Sequence, residues 1–191
     1  SGHAPTQPGS GAASTHPRRA TQRSRYSAGV PPSLPIPKTK PRLIERSIEI
    51  DCPVEKVFRF HLDTRNAPRV SPGVEFDSIE GTFPLRDGQI FTIVFRQRPI
   101  PIPLTWTFRV EAVVPNKAVV DVAVRSPFAA WRHEHRFESL GPDRCRLTDR
   151  ITYLPPFGPI GAIGDRIIVN RMLTKMFGQR QVLTKRLMEL R

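Results

Sequence analysis

Residues 131–154 constrain the fold most, because two runs of strictly alternating character flank one tight turn. Along residues 131–140 the odd positions are Trp131, His133, His135 and Phe137, and the even ones are Arg132, Glu134, Arg136 and Glu138. A period of two sends the first set to a dry face and the second to water. In the next run Cys145, Leu147, Asp149, Ile151 and Tyr153 share a face, opposite Arg146, Thr148, Arg150 and Thr152. Gly141-Pro142-Asp143 supplies the turn. One register sets Glu138 opposite Arg146 and Glu134 opposite Arg150 on the wet side, each pair contributing about 0.2–1 kcal/mol. Its dry side then sets Phe137 against Leu147, Trp131 against Tyr153 and His135 against Asp149. A slip of two residues would put His133 against Asp149 instead. In both registers an inward histidine neighbours an inward carboxylate.

The rest of the chain reads as partners for this hairpin. Residues 43–50 (LIERSIEI) form a strand, followed by a short helix from Pro53 with Asp51 or Cys52 as its cap and Val54, Val57, Phe58 and Phe60 on its apolar side. Asn66, Pro68, Pro72 and Gly73 mark a loop. Strands are expected at 74–80, 89–98, 104–114 and 119–125, separated by Leu85 to Gly88, Pro99 to Pro103, Pro115-Asn116 and Ser126-Pro127. Short connections of this kind join antiparallel neighbours. A long helix is expected to begin within 161–165 and run to about Leu190. Its apolar stripe is Ile163, Ile167, Ile168, Met172, Met176, Phe177, Leu183, Leu187 and Leu190. That helix is the only element large enough to cover the dry face of the sheet.

Composition divides the chain at residue 42. Residues 1–42 carry eight prolines, seven basic residues and no acid, which predicts a disordered basic tail with polyproline character over 30–41. Of the net charge of +13, the tail therefore holds +7, and a specific nucleic-acid function is not expected. The tail reads as a passive linker, a targeting peptide or an electrostatic arm. No apolar run reaches the roughly 18 residues of a membrane span, and no signal-peptide pattern is present. Transient contact with a membrane surface stays open. Cys52 and Cys145 are too few for a disulfide framework, which predicts a reduced, cytoplasmic protein. Oligomeric state is not legible.

Arg180 falls on the apolar side of the last helix, where a guanidinium needs a partner such as Asp149 or a ligand carboxylate. His133, His135, Asp149 and Arg180 are thus candidates for a polar cluster. The cluster either ties helix to sheet or meets a ligand, and His133, His135 and Asp149 are the candidates for acid–base catalysis. His133 and His135 lack an obvious third metal ligand apart from Asp149, so no metal and no other cofactor are expected. The Gly-rich stretch at 157–164 (FGPIGAIG) fits no phosphate-loop pattern and reads as a lead-in to the helix.

Several of these passages together resemble the SRPBCC superfamily, which includes START lipid-binding domains, birch-pollen-allergen-like proteins and polyketide cyclases. The resemblance covers residues 43–191 and rests on IEIDCPVEKVFRFHLDTRN, WRHEHRFE, LTDRITYLPPFGPIG and MFGQR. It is strongest to small bacterial ligand-binding and cyclase/dehydrase-like members, through His133, His135 and Phe137 and through Asp149, Arg150, Tyr153, Leu154 and Pro155. It implies an α+β helix-grip fold, a curved seven-stranded antiparallel sheet around a long C-terminal helix, over residues 43–191. It also implies a cavity for a hydrophobic small molecule, lined by Phe91, Trp106, Phe108, Trp131, Tyr153, Met176 and Phe177. Affinity would come from apolar burial, and orientation from His133, His135, Asp149 and Arg180. The expected function is binding of a lipid-like or aromatic, polyketide-like molecule. The alternative is a cyclase or dehydratase in which a His–Asp pair acts as base and Arg180 stabilises an enolate. The same topology pairs first and last strands, bringing Cys52 near Cys145, with two thiols preferred over a disulfide.

Overall fold

The hairpin expected at residues 131–154 is built into a seven-stranded antiparallel sheet. The computed structural model describes residue 2 and residues 40–97, 100, 102–155 and 168–190. In chain order these form β1 (Arg42–Ile50), α1 (Val54–His61), a 3-10 helix (Thr64–Val70), β2 (Val74–Glu80), β3 (Ile90–Gln97), β4 (Leu104–Val114), β5 (Ala118–Arg125), β6 (Ala130–Gly141), β7 (Arg144–Leu154) and α2 (Asn170–Glu189). The strand order is β1-β7-β6-β5-β4-β3-β2. From β2 to β7 each strand lies beside its predecessor, as short turns require. β1 alone pairs out of sequence, running antiparallel to β7. The expected α+β helix-grip fold is the one observed. Residues 3–39 of the proposed tail, with most of its polyproline stretch, and the Gly-rich lead-in with the start of the last helix, lie outside the described residues, while Arg42, placed in the tail, opens β1.

The β6–β7 register is the first of the two expected. Trp131 faces Tyr153, His135 faces Asp149, Phe137 faces Leu147, and Glu138 faces Arg146. Arg146 bonds Glu138 at 2.7 Å and also Glu49 of β1 at 2.9 Å, so one guanidinium links three strands on the wet face. The second expected charge pair is in register but does not form. Glu134 instead accepts from Arg132 and Arg136 of its own strand, at 2.9 and 2.7 Å, and Arg150 turns to Glu45. Residues two apart share a face, and here two such neighbours outcompete the cross-strand partner.

Register shifts between Phe76 and Ser78, between Val110 and Ala112, and opposite Thr107 and Phe108 place bulges in β2, β4 and β5 respectively. Bulges bend the strand that carries them, which curves this half of the sheet. At the β4–β5 turn Asn116 adopts φ 56°, a left-handed conformation that asparagine tolerates.

Two local expectations change. Pro53 is the N-cap of α1 and not its first helical residue, and neither Asp51 nor Cys52 caps it. The 64–70 segment, expected as loop, coils into a 3-10 helix that accommodates Pro68 and is capped by Asp63 accepting from the Arg65 amide. Cys52 and Cys145 are both buried free thiols near the β1–β7 ends, and burial foremost pushes Cys145 up to about 12.

The buried side of α2 is Leu173, Phe177, Gln181, Thr184 and Met188. The predicted stripe is rotated from this, and its members Ile168 and Leu190 are exposed. The cause is chemical, since two polar residues occupy buried positions with their bonding satisfied. Gln181 Nε2 donates to the Arg46 carbonyl and to Asp149 Oδ2, both at 2.8 Å, and the Thr184 hydroxyl donates to the Arg180 carbonyl. Lys56 Nζ on the Met188 carbonyl and Lys185 Nζ on the Glu49 carbonyl fix the far end of α2.

Gly81, between β2 and β3, has φ +150°, and a Cβ there would lie 2.8 Å from Phe91 Cβ. Gly81→Ala is therefore expected to cost more than about 1 kcal/mol in urea unfolding. An unchanged unfolding midpoint would refute this tight contact.

Candidate functional site

Between the inner face of the sheet, the 3-10 helix and α2 lies a cavity of about 320 Å³. Most of its wall is aromatic or aliphatic. Phe91 stacks on Phe108 at 5.0 Å between ring centroids, and Trp106 meets Trp131 edge-on at 4.9 Å. Phe177 closes against Trp131 and His133 from the helix side. Rings in such offset and edge contacts hold one another in place, so much of the wall keeps its shape without a ligand.

Asp63, Thr64, Asn66, Ser71 and Gln97 add polar groups to the wall, and five more form one cluster. His133 and His135 reach it from β6, Asp121 from β5, His61 from the last turn of α1 and Arg180 from α2. Asp121 faces His133 directly across the strand pair. The rings of His133 and His135 are 4.0 Å apart, and those of His61 and His135 are 4.7 Å apart. Beneath them Asp149, 1% exposed, accepts from His133 Nε2 at 3.0 Å and from Gln181 Nε2 at 2.8 Å. His135 Nδ1 is 2.7 Å from the same Asp149 oxygen as His133, in a bent contact that is electrostatic and not a hydrogen bond.

Burial sets the protonation of this cluster. It pushes His61 down to about 3 and His135 to about 4, with the neighbouring histidine adding to the effect in each case. His133 is lowered too, although Asp149 pulls it back. All three imidazoles are therefore neutral at neutral pH. Burial raises Asp149, but contact with His135 and His133 outweighs it and holds this carboxyl well below the usual range. Asp121 has no such donors, and burial pushes it up to about 7 against the pull of Arg180 and Arg132. Since Asp149 is ionised, His133 carries its proton on Nε2 and leaves Nδ1 bare. His61 donates from Nδ1 to the Val57 carbonyl at 2.8 Å and leaves Nε2 bare.

Of the expected site residues, Phe91, Trp106, Phe108, Trp131, His133, His135, Met176, Phe177 and Arg180 line the cavity. Asp149 and Tyr153 do not. Asp149 lies behind the histidines, and Tyr153 packs behind Trp131 and Phe128 while its hydroxyl meets Asn170 Nδ2. The expected Arg180–Asp149 partnership is also corrected, because Gln181, one residue along, takes that carboxylate. Among the described residues the Arg180 Nε is buried without a hydrogen-bond partner.

Asp121 and His61 were missed. Both carried a signal, because Asp121 alternates with Val119 and Ala123 in a strand, and His61 follows Val54, Val57 and Phe58 at helical spacing.

A histidine forced neutral makes the fold acid-sensitive. The unfolded chain protonates His61 at its ordinary value of 6.5, whereas the folded chain does so only near 3. Its share of stability is thus full above the ordinary value and lost as pH falls through that window. His61→Phe is expected to flatten the slope of unfolding free energy against pH on that limb. An identical slope in the variant would contradict the assignment.

Comparison with known proteins agrees with this architecture. Among solved structures, TTHA0849 of Thermus thermophilus superposes with TM-score 0.61 at 16% identity, covering 76% of this chain and 95% of that one. The Zhui aromatase/cyclase of Streptomyces sp. R1128 gives 0.58 at 13% identity, covering 78% and 96%. Norcoclaurine synthase of Thalictrum flavum, in complex with dopamine and hydroxybenzaldehyde, gives 0.56 at 13% identity, covering 78% and 86%. Identities this low speak for the fold alone. No curated protein matches the chain. The family described as polyketide cyclase / dehydrase and lipid transport matches residues 50–177, and the chain belongs to that family.

Proposed function

We propose that the protein binds a largely apolar, aromatic or lipid-like small molecule in the cavity, with the molecule's oxygen-bearing end at Arg180 and the histidines. The observation that carries this reading is the wall itself, a largely aromatic and aliphatic hollow with one cluster of imidazole, carboxyl and guanidinium groups. Such a division lets apolar burial supply affinity, at about 25 cal/mol per Å², while few polar groups set orientation. Arg180 suits the orienting role because its Nε has no hydrogen-bond partner among the described residues. The family's description, polyketide cyclase / dehydrase and lipid transport, supports the ligand class. We read the protein as cytoplasmic, on its two free thiols, and residues 1–42 as a tail that takes no part in binding.

Both tryptophans of the chain, Trp106 and Trp131, stand in the cavity wall, so intrinsic fluorescence reports occupancy. Titration with hydroxylated polycyclic ketones and with fatty acids is expected to quench emission for at least one class. Arg180→Leu is expected to weaken that ligand about tenfold, the loss of one charge-assisted hydrogen bond. Absence of quenching by either class, together with no co-purifying small molecule in native mass spectrometry, would overturn the proposal.

A cyclase or dehydratase is the second reading, and the neutral imidazoles beside a guanidinium favour it. His133 or His135 would remove a proton next to a substrate carbonyl, and Arg180 would stabilise the enolate. Asp149 would orient the base from behind, and Asp121, near 7, would return a proton to a departing hydroxyl. His135→Gln is then expected to lower turnover of a poly-β-ketone by roughly 10²-fold or more while ligand affinity is kept. Unchanged turnover would reject this mechanism.

A further inference from the structure

The cluster at the polar end has a property beyond its place in the cavity wall. Asp121 is 7% exposed, and among the described residues its carboxylate takes part in no hydrogen bond and no ion pair. Arg180 and Arg132 act on it only through their fields. A buried carboxylate without donors is costly, and it persists where something else satisfies it. Next to it stand two imidazoles. One nitrogen from each of His133 and His135 and one Asp121 oxygen all lie within 4.8 Å of one another.

We propose that Asp121, His133 and His135 bind one divalent first-row transition ion, in a two-histidine, one-carboxylate arrangement with its remaining positions open to the cavity. Three further observations bear on it. The ligands sit on paired strands, with Asp121 directly opposite His133 and His135 on the same face of β6, so the backbone preorganises them. The His133 Nε2–H bond to Asp149, with Asp149 itself fixed by Gln181, leaves Nδ1 bare, and an outer carboxylate of this kind orients most metal-binding histidines. The charge also fits, because Asp149 and an ionised Asp121 supply two negative charges against the guanidinium of Arg180, while Arg132 is paired with Glu111 and Glu134.

The donor set selects the ion. Two imidazoles and a carboxylate suit zinc, iron(II) or cobalt(II) and not calcium or magnesium, which prefer all-oxygen shells. Ligands bonded at about 2.1 Å stand at most about 4.2 Å apart. At tetrahedral angles they stand about 3.4 Å apart, so separations of up to 4.8 Å close by up to roughly 1.4 Å through side-chain rotation. The site shares Asp121, His133 and His135 with the polar end of the small-molecule reading, so a bound ion and not a bare imidazole would meet the ligand's oxygen there.

The test is Co²⁺ binding to the full, untagged chain after chelator treatment, followed by visible d–d absorption and by the thermal midpoint. One equivalent per chain is expected, with a raised midpoint and displacement by Zn²⁺. Asp121→Asn, His133→Gln and His135→Gln are each expected to weaken binding about 100-fold, and Asp149→Asn about 10–100-fold. Circular dichroism identifies which variants keep the native fold, and any one of them suffices. Folded wild-type protein that takes up no Co²⁺ at micromolar concentration would overturn the proposal. So would binding unaffected in a folded variant of the three ligands, which would place the ion elsewhere, for instance at His3 and His16.

Discussion

Asp149 is an ionised carboxylate at the centre of the sheet-to-helix contact, and much of the structure is arranged so that it can be there. Isolated, such a charge in the interior would be strongly unfavourable. Here β6 brings two histidines to it and α2 brings Gln181, which also caps the Arg46 carbonyl of β1. A single anion thereby ties three strands and the covering helix to one another. It also explains the rotation of α2, because the helix must present an amide at this height and not a methyl group.

The consequence for the cavity is a graded environment. Donors are spent on Asp149, so the groups one layer further in are left incompletely satisfied. Among the described residues Asp121 feels Arg180 and Arg132 only through their fields, His61 and His133 each have one ring nitrogen engaged, and the Arg180 Nε has no hydrogen-bond partner. Unsatisfied polarity inside an aromatic wall is what a binding or reacting site requires, and it lies where β5, β6, α1 and α2 converge.

Much of this was legible in the sequence, and the reasons are specific. The β6–β7 register followed from charges that paired at one alignment and from a turn of fixed length. Seven strands and their order of pairing followed from turn residues and from family resemblance. The buried face of α2 was not legible, because Gln181 and Thr184 read as solvent-facing until their partners on other elements are known. Asp149 stood beside a ligand carboxylate as a partner for Arg180 for the same reason, since neighbouring helical positions compete for one carboxylate and sequence does not say which arrives. Asp121 was overlooked although its alternation with Val119 pointed inward, because an acid within an apolar run has no partner visible in the sequence.

The out-of-order pairing of β1 has a consequence for how the chain is made. Ser47 meets Thr148 across a separation of 101 residues, and α2 rests on the strand formed by Arg42–Ile50. On a ribosome, the strand that emerges first would wait until nearly all of the sheet has followed, with its edge partner the last strand to appear. Contacts so distant along the chain are slow to form, and until β1 docks the edge of β7 stays open to other chains. Final closure of the domain is therefore a late event in synthesis, and a nascent chain truncated before residue 144 would have no strand on which β1 could settle.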